Sequence, residues 1–109
     1  MNTISLDEFK RTEIRVGTVV VAERIFDTDK LLRLEVDFGE ERLRQILSGV
    51  AEYVDPKEII DRQLLFITNL EPRIIRGLAS NGMLLATGEG DDFTLLIPSK
   101  PVPPGSRVR

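Results

Sequence analysis

The amino-acid sequence predicts an all-β domain, a small closed barrel of five or more short strands accompanied by two short helices. Three observations carry this reading. Apolar residues, many of them β-branched, recur at every second position in several short runs. Clusters of turn-forming residues punctuate those runs. A glycine, Gly17, interrupts the first run, where a small barrel needs a bulge or a sharp curl.

Each element follows from its residues. Ser5-Leu6-Asp7-Glu8 has the form of a capping box, with acids in the first turn of a short helix over about Leu6 to Lys10 and Phe9 as its apolar anchor. From Ile14 to Ala22, Ile14, Val16, Thr18 and Val20 alternate with Arg15, Gly17, Val19 and Val21 to make the first strand. Leu32, Leu34 and Val36 alternate with Arg33, Glu35 and Asp37 in the second. Phe38-Gly39-Glu40-Glu41 is a turn, and Arg42 to Leu47 a third strand that completes a hairpin. Asp55-Pro56-Lys57-Glu58 starts the second helix, ending near Asp61, with Asp as N-cap and Pro at the first helical position. Leu64 to Thr68 is a buried strand. Asn69 to Asn81, rich in breakers and cations, reads as a connection between strands. Met83 to Thr87 is another strand, Gly88-Glu89-Gly90-Asp91-Asp92 a turn, and Phe93 to Ile97 the returning strand. The tail from Pro98 to Pro104 holds four prolines and excludes a helix. The economical match is an OB-fold, a five-stranded Greek-key barrel.

Composition narrows the function. A chain of 109 residues fits one domain, residues 1–109. With no cysteine and no histidine, disulfides, thiolate zinc sites, haem and copper sites and His-dependent nucleophile systems all lose their ligands or bases. An enzymatic reading would need Asp, Glu, Lys or Tyr alone, and nothing marks two carboxylates as an acid–base pair. No catalytic residue, metal or cofactor is expected. Asp27-Thr28-Asp29 lacks the glycine and distal glutamate of a calcium loop. Gly88 to Asp92 lacks the Lys-Ser/Thr of a phosphate loop, and its acids would repel phosphate. No run of 18 apolar residues provides a membrane span, and the N-terminus lacks the basic leader and apolar stretch of a signal peptide, so the expected compartment is the cytoplasm.

The net charge of −3 disfavours tight nonspecific DNA binding. It leaves room for a basic face on an acidic body, because binding follows local potential. From Phe93 onward there are three cations, Lys100, Arg107 and Arg109, and no acid. The absence of tryptophan and the single tyrosine, Tyr53, disfavour a binder that grips single strands by base stacking. Phe9, Phe38, Phe66 and Phe93 fall where a core would use them, and Phe26 is the one aromatic expected in an exposed loop. Phosphate contacts and shape would then carry any nucleic-acid binding.

The most unusual segment runs from Asn69 to Leu85. Arg73 and Arg76 flank an apolar pair, and the small-residue turn Ser80-Asn81-Gly82 precedes Met83. It reads either as a connection with ordinary surface arginines or as a loop offering guanidinium groups and a hydroxyl to phosphates. Along the chain stand Arg15-Val16-Gly17, Thr28-Asp29-Lys30-Leu31, Val36-Asp37-Phe38-Gly39, Ser48-Gly49, the Asn-Leu-x-Pro-Arg…Arg-Gly…Ser-x-Gly-Met-Leu-Leu-Ala signature from Asn69 to Ala86, and the closing Pro101-Val102-Pro103-Pro104-Gly105. In this order and spacing they resemble the tRNA-binding domain family found at the C-terminus of many methionyl-tRNA synthetases and as free-standing structure-specific tRNA-binding proteins. In place of the family's His-Pro-x-Ala, the chain carries Ile25-Phe26-Asp27-Thr28.

The resemblance implies an OB barrel with extra terminal elements and a homodimer formed through them. It implies tRNA recognised by folded shape, with no chemistry performed, and methionyl-tRNA synthetase as a possible partner. On this reading Lys30, Arg73 and Arg76 contact phosphates, and Arg15, Arg33, Arg42 and Arg44 are weaker candidates because strand cations often simply face solvent. Asn69, which opens the signature, is a further RNA-binding candidate. The family's Ser and Met fall on Ser80, expected to add a neutral hydrogen bond, and on Met83, expected to pack and set the loop. The proline-rich tail, too extended to hide its own backbone, is a second reason to expect a dimer. The Lys100-Pro101-Val102-Pro103-Pro104-Gly105 ending also resembles the sister family of CsaA-type secretion chaperones, which makes a binder of unfolded or pre-secretory polypeptides the alternative.

Overall fold

Strand β1, Ile14–Arg24, is long enough to serve two neighbours. Its first half pairs antiparallel with β4, Gln63–Ile67, and its second half with β2, Leu32–Asp37, Thr18 being the one residue shared by both ladders. β2 forms a hairpin with β3, Arg44–Ser48, and β4 pairs with the short β7, Met83–Leu84, giving the sheet order β3-β2-β1-β4-β7. The computed structural model describes residues 2–109. Its two outer strands meet around Asn81: the Asn81 N–H donates to the Gln45 carbonyl at 2.9 Å, and Gln45 Nε2 donates to the Ala79 carbonyl at 2.9 Å. The sheet thereby closes into the expected OB-type barrel, which removes its open edges.

Residues that alternate inward fill the barrel. Val19, Leu32, Leu34, Val36, Ile46, Leu64 and Phe66 are fully buried, and Phe38 packs edge-on against Phe66 with ring centroids 5.3 Å apart. Gly17 serves a different purpose from the one expected. The register shift lies between Val19 and Val21. At Gly17 a Cβ would sit 2.4 Å from Val36 Cγ1 and 2.6 Å from the Phe38 ring, so this glycine makes room for the core.

The capping box is formed: Ser5 Oγ accepts from the Glu8 N–H and the Glu8 carboxylate from the Ser5 N–H, opening α1, Leu6–Lys10. None of α1 is buried, so Phe9 does not anchor it in the core; the chain after it is tied down instead, by the Thr68 N–H donating to the Glu13 carbonyl. The second helix, α2, Pro56–Ile59, starts on its Asp55 cap and buries Pro56 and Ile59.

Three strand readings are corrected. The third strand begins at Arg44, not Arg42. Met83 to Thr87 divides at Leu85 into β7 and β8, Ala86–Thr87, which pairs with β9, Thr94–Leu95. The segment after Asn69 is more than a connection, for it contains the hairpin of β5, Arg73–Ile75, and β6, Leu78–Ser80. Its two turn residues, Arg76 and Gly77, both have positive φ, 51° and 78°. A tight hairpin turn of this kind usually carries Asn-Gly or Asp-Gly, and an arginine in the first position conceals it.

The tail is extended, as its prolines require, and from Val102 onward much of its backbone is bonded within the chain. The Gly105 N–H donates to the Val16 carbonyl, the Val16 N–H to the Ser106 carbonyl and the Val108 N–H to the Ile14 carbonyl. Gln63 bonds Val102 through both its amide nitrogen and its oxygen. The exposed-backbone argument for a dimer therefore falls.

Candidate nucleic-acid interface

The β5–β6 hairpin positions the unusual arginines. Ser80 and Asn81 meet Leu47 and Gln45 respectively, which packs β6 against β3. Leu32, the start of β2, pairs with Ser48 at the far end of β3. The loop between β1 and β2 closes at that end, where the Lys30 carbonyl accepts from the Ala51 N–H. Arg76 occupies the hairpin turn. Arg42 lies beyond the opposite end of β3 from Lys30, about 17 Å away at the rise of a five-residue strand. Arg73 stands opposite Ser80 at the base of the hairpin.

The seven cations predicted as phosphate contacts divide into two sets. Arg33 is committed to the barrel's outer face: it donates to Glu23 at 2.7 Å, to Glu35 at 3.1 Å and to Gln45 at 3.2 Å. Hydrogen bonding to Glu23, then to Glu35, holds its pKa above the ordinary arginine value. Arg44 chelates Glu40 with two bonds of 2.8 Å, donates to the Thr68 and Asn81 carbonyls and lies over the Phe38 ring. Arg15 is held by Glu13 and the Gly105 carbonyl. These three arginines, expected as possible phosphate contacts, are neutralised by acids and carbonyls of the fold. Lys30, Arg42, Arg73 and Arg76 are exposed, and none of the ion pairs or side-chain hydrogen bonds found among the described residues involves their charged groups.

Two polar candidates are also spent structurally. Ser80 is only 1% exposed; its Oγ accepts from the Leu47 N–H at 2.9 Å and donates to the Gly82 carbonyl at 3.3 Å. Its hydroxyl closes the barrel and is not presented to a ligand. Asn69 accepts from the Glu13 N–H and donates to the Arg11 carbonyl, which fastens the N-terminal segment to the end of β4. Met83 departs from expectation the other way, for it is 39% exposed and not packed away. With Leu70, Glu71, Arg73, Ser80 and Gly82 it lines an open groove of about 400 Å³. Leu70 was missed in the sequence, where an apolar residue just past a strand and amid turn formers was the available signal. Ile74 on β5 is 71% exposed and does not line this groove.

The ion pairs set an acid limit to stability. Hydrogen bonding to Arg15 lowers the pKa of Glu13, and hydrogen bonding to Arg44 lowers that of Glu40. Both groups are more acidic folded than unfolded. Their contribution is complete above the ordinary glutamate value near 4.5 and is lost as pH falls through the lowered folded values. Tm is expected to fall with pH below about 4.5, and less steeply in a Glu40→Gln variant; parallel melting curves for the two proteins would remove Glu40 from this account.

The family model described as "Putative tRNA binding domain" matches residues 14–107. The chain belongs to the tRNA-binding domain family. Among relatives of this domain, the methionine–tRNA ligase of Methanocorpusculum labreanum is 48% identical over 105 residues, covering 96% of this chain and 15% of the ligase. The chain thus spans about one-seventh of that relative's length. Among solved structures, the MetRS-related protein of Pyrococcus horikoshii aligns over the whole of both chains with a TM-score of 0.90 and 37% identity. The chaperone CsaA of Bacillus anthracis aligns over 99% of this chain and all of its own, with a TM-score of 0.87 and 28% identity. Among the described residues, no helix of the tRNA-binding domain is long and apolar enough to cross a membrane.

Proposed function

We propose that the domain binds folded tRNA, with Arg73 and Arg76 of the β5–β6 hairpin, Lys30 of the β1–β2 loop and Arg42 of the β2–β3 turn as its phosphate contacts. The observation that carries this reading is the division of the seven predicted cations: these four are exposed without acidic partners, whereas Arg15, Arg33 and Arg44 are paired, in a member of the tRNA-binding domain family. An unpaired cation that neutralises a phosphate frees a counterion condensed on the RNA, whereas a cation already held by a carboxylate has less charge to offer. The domain performs no chemistry in this reading. It raises tRNA affinity in the cytoplasm, alongside a methionyl-tRNA synthetase, the kind of protein in which its relatives occur. Arg76→Ala is expected to weaken binding to different folded tRNAs by a similar factor and to reduce the salt slope by about one. An unchanged slope would remove Arg76 from the phosphate contacts.

A homodimer belongs to the same proposal. Leu6 is 65% exposed, and α1 with the tail forms a groove of about 300 Å³ lined by Leu6, Phe9 and Val108. A second copy would cover this apolar surface. Leu6→Asp in the full chain is expected to shift sedimentation from dimer to monomer with cooperative melting retained; a monomeric wild type overturns the dimer.

A second reading, binding of unfolded polypeptide, is favoured by the exposed groove around Leu70 and Met83 and by the likeness to the CsaA chaperone. It requires peptide binding with little salt dependence, which separates it from the first.

A further inference from the structure

Phe26 is the most exposed large apolar side chain among the described residues, at 95%. An aromatic ring in water normally costs a protein stability and solubility, so full exposure in a well-built segment is informative. The segment is well built. The Thr28 N–H donates to the Ile25 carbonyl at 3.3 Å, closing a turn with Phe26 and Asp27 at its corners. Asp27 has φ of 72°, the left-handed conformation expected at the third position of such a turn. The Ile25 N–H donates to the Leu31 carbonyl, the Lys30 N–H to Thr28 Oγ1, and the Ala51 N–H to the Lys30 carbonyl, so the loop is fastened at its neck and along its return.

The position of this turn matters as much as its rigidity. It belongs to the same loop as Lys30, one of the exposed and unpaired cations, at the end of the barrel where β2 begins opposite Ser48. The carboxylates of Asp27 and Asp29 flank the ring in sequence, and they disfavour a phosphate at the turn itself. A ligand held by Lys30 through its backbone would therefore meet the turn with an uncharged part. In RNA that part is a base, and an unpaired base has a π-face that stacks on an aromatic ring whatever its identity.

We propose that Phe26 is a stacking platform for one unpaired nucleobase of the bound RNA. Shape and phosphate contacts hold the folded molecule, and Phe26 adds a contact that a fully paired helix cannot make. This inference rests on the RNA-binding reading above.

The chain contains no tryptophan, so Phe26→Trp places a single indole reporter at the site. The experiment titrates full-length wild type, Phe26→Ala and Phe26→Trp with an unmodified tRNA transcript and with a blunt RNA duplex, at two salt concentrations. Phe26→Ala is expected to lose about 5- to 20-fold in tRNA affinity, the low end of the range for one stacked base. Its salt slope should be unchanged and its duplex affinity unaffected. Phe26→Trp is expected to retain tRNA affinity, with indole fluorescence quenched by tRNA and not by the duplex. The ring is exposed, so both variants should melt like the wild type. Equal tRNA affinity for wild type and Phe26→Ala, with no quenching, overturns the platform and leaves the RNA reading standing. A wild type that binds no tRNA overturns the RNA reading itself. Quenching by an unfolded peptide in place of tRNA assigns the ring to a protein partner and overturns the base.

Discussion

Replacing Phe66 by Ala is expected to cost about 3–5 kcal/mol, the largest effect of any single substitution considered for this domain. Phe66 is fully buried on β4 and supports Phe38 in an edge-to-face contact with the two rings 85° apart. Phe38 in turn lies under the Arg44 guanidinium, which holds the Thr68 and Asn81 carbonyls at the barrel seam. A cavity at Phe66 therefore loosens the seam as well as the interior. Against a total stability of roughly 5–15 kcal/mol, such a loss is a large fraction. Chemical denaturation checks it, with Phe66→Leu as the milder control that keeps most of the volume. A loss below about 1.5 kcal/mol would show that the core closes around the gap.

Ser80→Ala is the second large effect, and its direction is informative for the site. The substitution leaves the buried Leu47 N–H without an acceptor, at a cost of about 1–3 kcal/mol. Because the Ser80 hydroxyl is turned inward, the variant should lose stability first and RNA affinity only through it. The expected result is a lowered Tm with tRNA affinity near the wild-type value at a temperature where both proteins are folded. A weakened affinity at unchanged Tm would mean that the hydroxyl meets the RNA, contrary to the hydrogen bonds of the free protein.

The barrel was legible in the sequence because its strands carry period-two alternation and its caps are local. Ser5 with Glu8, Asp55 with Pro56, and the Leu32–Val36 run each declare their structure within a few residues. The β5–β6 hairpin was not legible, since Arg76 occupies a turn position where asparagine or aspartate is the usual signal. The use of Gly17 was misread because the atoms that demand a glycine, on Val36 and Phe38, are distant in sequence. The candidate site was legible by residue type but not by availability. Whether an arginine is free depends on which acids the fold brings to it, and Glu23 reaches Arg33 only across a strand pair. The burial of Ser80 and the exposure of Met83 reverse expectation for the same reason: burial is decided by tertiary contact, not by polarity.

The pairing of the last residues with β1 also orders the assembly of the molecule in time. Joining Val108 to Ile14 closes a loop of some 90 residues, at an entropic cost of about 4 kcal/mol by polymer scaling; Arg44 meeting Val36 closes one of about eight, at about 2 kcal/mol. The β2–β3 hairpin is therefore a natural early structure, and the outer edge of the first half of β1 is among the last to be covered. On a ribosome that edge stays open until residues 105–108 have emerged. During that interval the nascent barrel exposes a strand edge to which foreign chains can pair, a hazard that ends only when its own tail docks.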